Sequence, residues 1–259
     1  RDCSAIAHVV RCFEDPNVVH VDGRVDPHSD IETINTELIL KDLETVQKRL
    51  DRARKAARGG DAQERAAVAV CERLEQALDQ GRRAAQVTVQ DEREALVLRD
   101  LQLITQKPMF YVANVKEDQL DKIDSDPLVA VVRKLAAEQG TVVEVMCAAI
   151  EAEIMQLPLA DREEFLKSIG LTEPGLNAVI RTGYRMLNLI TYFTAGKKEV
   201  RCWTIDAGDK APQAAGKIHT DFERGFIRAE VIWWEDLVKL GGEAACKAAG
   251  KMATEGKEY

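Results

Sequence analysis

The sequence has no apolar run approaching the roughly 20 residues that a bilayer-spanning helix needs, which excludes a transmembrane protein of that kind. It has no C-x-x-C pair, and its six cysteines (Cys3, Cys12, Cys71, Cys147, Cys202 and Cys246) stand far apart. With only four histidines, the ligand spacing of a structural zinc site is missing. Scattered thiols in a long, helix-rich chain indicate reduced cysteines and a cytoplasmic setting. There is no initiator Met and no basic-then-apolar leader, so secretion is not indicated and a true start farther upstream is expected. An excess of positive charge is also lacking: 36 Lys and Arg against 44 Asp and Glu leave a net charge of -8. Nucleic-acid binding would therefore have to come from a local patch.

What is present is an ordinary globular balance, 46% hydrophobic and 31% charged over 259 residues, enough for one large domain or two to three small ones. Residues 5–13 are short, apolar and β-branched and read as a buried strand, followed by a polar loop with Pro16, Gly23 and Pro27. A strand buried on both faces needs neighbours, and none precedes it. From Asp30 the period changes: Ile39, Leu43, Val46, Leu50, Ala53 and Ala57 line one face of a long helix. Gly59-Gly60 ends it, Asp61 is a suitable N-cap for a second helix, and Ala67, Val70, Leu74 and Ala77 continue the seam to Gly81. Two such helices predict an antiparallel hairpin. A third helix is expected over 91–104.

The pattern then turns to α/β. Strands are expected at 108–113 and 141–147, separated by an amphipathic helix over 127–139. This is the order of a doubly wound sheet, with ligands at the carboxyl ends of its strands. Helices are expected at 161–169 and 174–188. Beyond Tyr192 come a strand at 199–205, a helix at 213–222 and a strand at 225–232, which form a small α+β module.

Chemistry concentrates at the strand ends. Asn114, just past a strand, with Glu117 three residues later, supplies an amide and a carboxylate able to read the edge of a purine. A solvated loop is the competing reading. Cys147, Ala148 and Ala149 end the next strand, and small residues there let backbone N–H groups approach a base. His20, in the loop after the first strand, could orient an attacking water or be a plain loop histidine. His8 reads as a satisfied core residue. Lys48, Arg49, Arg52, Arg54, Lys55 and Arg58 crowd the tip of the first long helix. They are either an RNA contact or a solvated face balanced by i,i+4 pairs. Lys217, Arg224 and Arg228 offer a further basic surface near the C-terminus, with Trp203 and Phe222 either as stacking surfaces for RNA or as core residues.

Longer motifs carry a resemblance. They are His-Val-Val-Arg-Cys-Phe (8–13), Ile-Asn-Thr-Glu-Leu (34–38), Asn-Val-Lys-Glu (114–117), Glu-Pro-Gly-Leu-Asn (173–177), Leu-Ile-Thr-Tyr-Phe-Thr-Ala-Gly (189–196), Ala-Pro-Gln-Ala-Ala-Gly-Lys-Ile-His-Thr-Asp-Phe (211–222) and Gly-Phe-Ile-Arg-Ala-Glu (225–230). From end to end the chain resembles the YchF or Obg-like ATPase family of P-loop NTPases. The resemblance implies an α/β fold: part of a doubly wound P-loop NTPase sheet (1–34 and 106–191), an inserted antiparallel coiled-coil domain (35–105), and an incomplete C-terminal β-grasp, or TGS, domain (192–259). It implies a P-loop ATPase that takes ATP over GTP, with Asn114, Val115, Glu117, Cys147, Ala148 and Ala149 at the base. His20 matches the position of the family's suspected water-positioning histidine.

The implied partners are the ribosome, its large subunit, and rRNA, through Arg49, Arg52, Lys55, Arg58, Lys217 and Arg228. No membrane or DNA partner is implied. No Gly-x-x-x-x-Gly-Lys-Ser string is present, so the phosphate loop and the ligands of the expected Mg2+ lie outside this chain. An internal fragment, inactive alone, is the resulting expectation, with a non-catalytic RNA- or ribosome-docking module as the alternative.

Overall fold

The computed structural model describes residues 3–18, 23–196 and 199–259, so His20 lies outside the described residues. Strand β1 (Ile6–Arg11) is followed by helices α1 (Pro27–Ala57) and α2 (Ala62–Asp79), a 3-10 turn at Ala84–Gln86, and α3 (Glu92–Leu101). Asp26, Asp61 and Asp91 cap the three helices, each carboxylate accepting a backbone N–H from the first turn, as the capping chemistry of aspartate predicts. Helices α1 and α2 fold back on each other, burying Ile39, Val46, Leu50 and Ala53 against Ala67, Val70, Cys71 and Leu74. The seam anticipated from three- and four-residue spacing is therefore the seam that packs.

One seam position is polar. Asp42 is completely buried, and its carboxylate accepts three hydrogen bonds: from the amides of Ile104 (2.9 Å) and Thr105 (2.7 Å) and from the Thr105 hydroxyl (2.8 Å). The Thr105 Oγ1 in turn accepts the Ala84 amide. A buried carboxylate survives only if its lone pairs are filled, and here they fasten the chain leaving α3 to the middle of α1.

The chain then enters β2 (Met109–Asn114), a 3-10 segment (Glu117–Ser125), α4 (Pro127–Glu138) and β3 (Val143–Met146). The three strands form one parallel sheet in the order β1-β2-β3, with Val9 beside Val112 and Ala113 beside Val145. Only β2 is buried along its length. The expectation that β1 is buried on both faces fails: Val10 is buried, but Ala7 is exposed and Val9 is 61% exposed. Among the described residues the strand has one neighbour, β2, and its second face has no covering layer. His8 is corrected too. Its Nδ1 is buried without a hydrogen-bond partner among the described residues, and burial, opposed by Asp30, lowers its pKa. The ring is held by a tilted contact with Tyr111 at 5.4 Å, not by a hydrogen bond.

Helices α5 (Ala148–Gln156), α6 (Leu159–Ser168) and α7 (Gly175–Met186) complete the first compact unit, Arg1–Met186. Asn188 follows with φ 54°, a left-handed conformation that asparagine tolerates better than most residues. The second unit, Leu187–Tyr259, begins earlier than the break expected at 192. Strand β4 (Leu189–Ala195), not anticipated as a strand, pairs antiparallel with β5 (Val200–Asp206). Helix α8 (Ala211–Ile218), a short α9 (Thr220–Gly225), β6 (Ala229–Ile232), α10 (Trp234–Leu240), α11 (Glu243–Ala248) and β7 (Met252–Glu255) follow. The single helix expected at 213–222 is thus two, divided at His219, whose Nδ1 accepts the Asp221 amide. Strands β6 and β7 form a second antiparallel pair, separate from β4-β5.

Replacing Asp42 by Ala strands two amides and a hydroxyl in the core. The variant should lose about 3 kcal/mol or more of stability, read from urea denaturation followed by helical circular dichroism, with Asp42→Asn losing less.

Candidate functional site

Parallel strands deliver their carboxyl ends to one edge of the sheet, and three loops meet there. Asn114 closes β2, level with Arg11 on one side and Met146 on the other. The ladder runs on past the strand, with the Cys12 amide donating to the Asn114 carbonyl (2.8 Å) and the Val115 amide to the Met146 carbonyl (3.0 Å).

The Asn114 side chain then crosses to the third loop, where its Oδ1 accepts the Ala148 amide at 2.9 Å. Because Ala148 N–H is a donor, it fixes which end of the amide points where. The Asn114 NH2 group is left as a donor with no partner among the described residues. Ala148 and Ala149 are exposed and Cys147 is buried, so the small side chains leave the surface open beside that donor. Glu117 is exposed at the start of the 3-10 segment. Val115 differs: the residue is 2% exposed, in a core cluster with Val10, Ile31 and Val129. Its amide is already committed to the Met146 carbonyl, so it presents neither side chain nor N–H to a ligand.

Two side chains not singled out in the sequence hold this loop. Gln119 Oε1 accepts the Lys116 amide (2.7 Å), and its Nε2 donates to the Cys12 carbonyl (2.9 Å) and to Asp126 Oδ2 (2.7 Å). Lys116 Nζ pairs with Asp15 at 3.3 Å. The Asp15 carboxyl is held below its ordinary range, first by the Asn17 amide and then by Lys116. The Cys12 thiol below is pushed up to about 12, by burial first and then by Asp126 and Asp30, and is inert at neutral pH.

Behind the third loop, Glu151 on α5 is buried and accepts the Gly175 (2.6 Å) and Leu176 (3.2 Å) amides at the start of α7. A carboxylate suits that end of a helix. Any Cβ at Gly175 would come within 2.9 Å of Met146 Cβ, so only glycine lets the helix this close. The sequence hint for Gln119 was its place three residues after the loop's Lys116, the spacing of a capping box, masked because lysine is not a usual cap.

The basic residues divide. Arg49 is engaged in a two-pronged ion pair with Glu64 at 2.8 and 3.0 Å, which raises its pKa, and Arg54 pairs with Glu72. Arg52 and Lys55 on the same helix and Arg58 at its C-cap are exposed, as are Lys217 and Arg228 in the second unit. Trp203 is partly covered: the Arg201 guanidinium lies 4.1 Å over its ring, and its Nε1 donates to Thr194. Phe222 is 54% exposed. Among the described residues no group of three or more His, Cys, Asp or Glu is placed to hold a metal ion, and no helix is long and apolar enough to cross a membrane.

Residues 189–259 match the family YchF-GTPase_C, described as a protein of unknown function (DUF933). The chain is 51% identical over 261 residues to the ribosome-binding ATPase YchF of Escherichia coli O157:H7, covering all of this chain and 70% of that protein. It is 48% identical over 259 residues to the ribosome-binding ATPase YchF of Bacillus subtilis (strain 168), with the same coverage. The solved Schizosaccharomyces pombe YchF GTPase superposes with a TM-score of 0.78 at 37% identity, over 99% of this chain and 69% of that one.

Asn114→Ala frees the Ala148 amide. Its hydrogen exchange, followed by NMR, should speed up about tenfold, the equivalent of one ordinary hydrogen bond, while amides in the α1–α2 seam keep their wild-type rates.

Proposed function

The chain belongs to the YchF family, and on that premise we propose that its three-loop edge reads the base of a nucleotide, ATP ahead of GTP, in a cytoplasmic protein that works on the ribosome. The observation that carries this is the Asn114–Ala148 bond. It leaves the Asn114 NH2 as the donor that can meet the N7 of a purine, with the small, exposed Ala148 and Ala149 beside it. Glu117 in place of a shorter aspartate relaxes the demand for guanine. The relatives named ribosome-binding ATPases, and the S. pombe protein named a GTPase, support nucleotide hydrolysis as the family's chemistry.

Phosphoryl transfer depends on holding phosphates and water in line and on a bound cation. The 259 residues contain no Gly-x-x-x-x-Gly-Lys-Ser string, and the described ones do not fit a Mg2+ site, so no step is assigned here to phosphate, metal or His20. By itself this chain contributes base recognition and turns over ATP slowly or not at all.

The paired helices α1 and α2 act as a coiled-coil insertion in the nucleotide domain, and the second unit as a TGS-type β-grasp module. A docking role alone is the second reading. Arg52, Lys55 and Arg58, exposed near the turn of the hairpin, favour it as a contact for rRNA, with the large subunit as the partner. Lys217 and Arg228 offer the same chemistry on the second unit. Arg49 is excluded from that set by its pairing with Glu64.

Base reading is tested with Glu117→Asp. Adenosine and guanosine affinities, measured from NMR shifts of the Ala148 amide, should move toward guanosine by about threefold or more, a modest share of a polar contact. An unchanged ratio would show that this loop does not read the base. Val115→Lys is no use alongside it, since it would bury an ammonium in the core.

Docking is tested by sedimentation with ribosomes across a salt series. Replacing Arg52, Lys55 and Arg58 together by Glu should weaken binding and flatten its logarithmic salt dependence by roughly two to three units of slope. Binding that ignores both salt and these changes would rule out the hairpin contact.

A further inference from the structure

Gln119 occupies an unusual place among the loops at the sheet edge. Its carboxamide uses both ends, accepting from the base-reading loop (Lys116 N–H) and donating to the loop after β1 (Cys12 C=O) and to the cap of α4 (Asp126 Oδ2). Asp126 has its other oxygen filled by the Leu128 and Val129 amides. The glutamine is therefore tied, through Asp126, to a fixed helix end. A second link runs parallel to it, Lys116 Nζ to Asp15 Oδ2, and Asp15 organises its own loop by accepting the Asn17 amide. In that same loop Arg11 donates to the carbonyls of Phe13 and Val18. Segment 12–18 thus has no independent position: its backbone is set by β1 at one end and by Gln119 and Lys116 at its side.

We infer that Gln119 is a positioning residue for nucleotide recognition, clamping the Asn114–Glu117 loop to segment 12–18 so that the fit of a base at Asn114 and Ala148 is imposed on the chain that follows β1. This rests on the base-reading function proposed above. The physical requirement is a group that donates and accepts at once across the gap between two loops, and a neutral carboxamide on a long side chain does both. Glutamate would still accept from Lys116 but would face the Cys12 carbonyl and the Asp126 carboxylate with oxygen against oxygen. Leucine would fill the space with no polar link.

The test uses the full chain with ATP as the probe and hydrogen exchange by mass spectrometry as the readout, at the Ala148 region and at 12–18. In the wild type, ATP should slow exchange in both. In Gln119→Glu and Gln119→Leu, protection near Ala148 should persist while that at 12–18 is lost, and ATP affinity should fall by roughly two- to thirtyfold, the range of coupling through packed networks. If either variant folds, by its wild-type exchange in α1–α2, and still transmits protection to 12–18, the inference is overturned. Should both unfold, Gln119→Asn, polar but one methylene too short to span the gap, is read by the same criterion. Wild-type protein unprotected by ATP near Ala148 would overturn the base-reading function and this inference with it. Protection near Ala148 without any at 12–18 would overturn this inference alone.

Discussion

Everything at the candidate site follows from β2 being the middle strand of a parallel sheet. A strand with neighbours on both sides and helices packed over it has to be apolar throughout, and Met109 to Ala113 are. Its polar chemistry can begin only where the sheet stops. Parallel pairing then brings the ends of β1 and β3 to the same edge, so three loops remote in sequence become neighbours without any of them needing to be long. This is the geometry that makes the carboxyl edge of such sheets a binding edge in general.

Once the loops are together, their backbone groups need partners, and side chains meet that need. Asn114 ties the second loop to the third, and Gln119 and Lys116 tie the second to the first. Glu151 ties the helix after the third loop to α7. None of these bonds is strong alone. Each is anchored to a strand end or a helix cap that cannot move independently, so the edge is held as a unit.

Much of this was legible in the sequence because it is locally encoded. Asp61 announces the start of the second helix, and the three- and four-residue apolar spacing announces the hairpin seam. Asn114 stands out as the first polar residue after a wholly apolar strand. What escaped was encoded at long range. Asp42 lies on the seam between Ile39 and Val46, and its partners are more than sixty residues later. Val115 looks like a loop residue by position, yet the core continues one residue beyond the strand. His8 reads as satisfied from sequence, but among the described residues nothing hydrogen-bonds its Nδ1. Strand β4 passed unread because what defines it is its pairing with β5.

The bond network of Asp42 also dictates an order of assembly. When α1 leaves a synthesising ribosome, its seam already carries a carboxylate that cannot be buried alone. The groups that neutralise its demand for hydrogen bonds, at 104 and 105, emerge only after the whole hairpin and α3. The pairing of β1 with β2 waits as long, since β2 begins at Met109. The hairpin and the sheet therefore close at nearly the same moment, at one short stretch of chain, 104–109. Until then α1 and α2 have no packed state in which Asp42 is at rest, and a nascent chain halted short of that stretch would hold α1 open to chaperones and proteases.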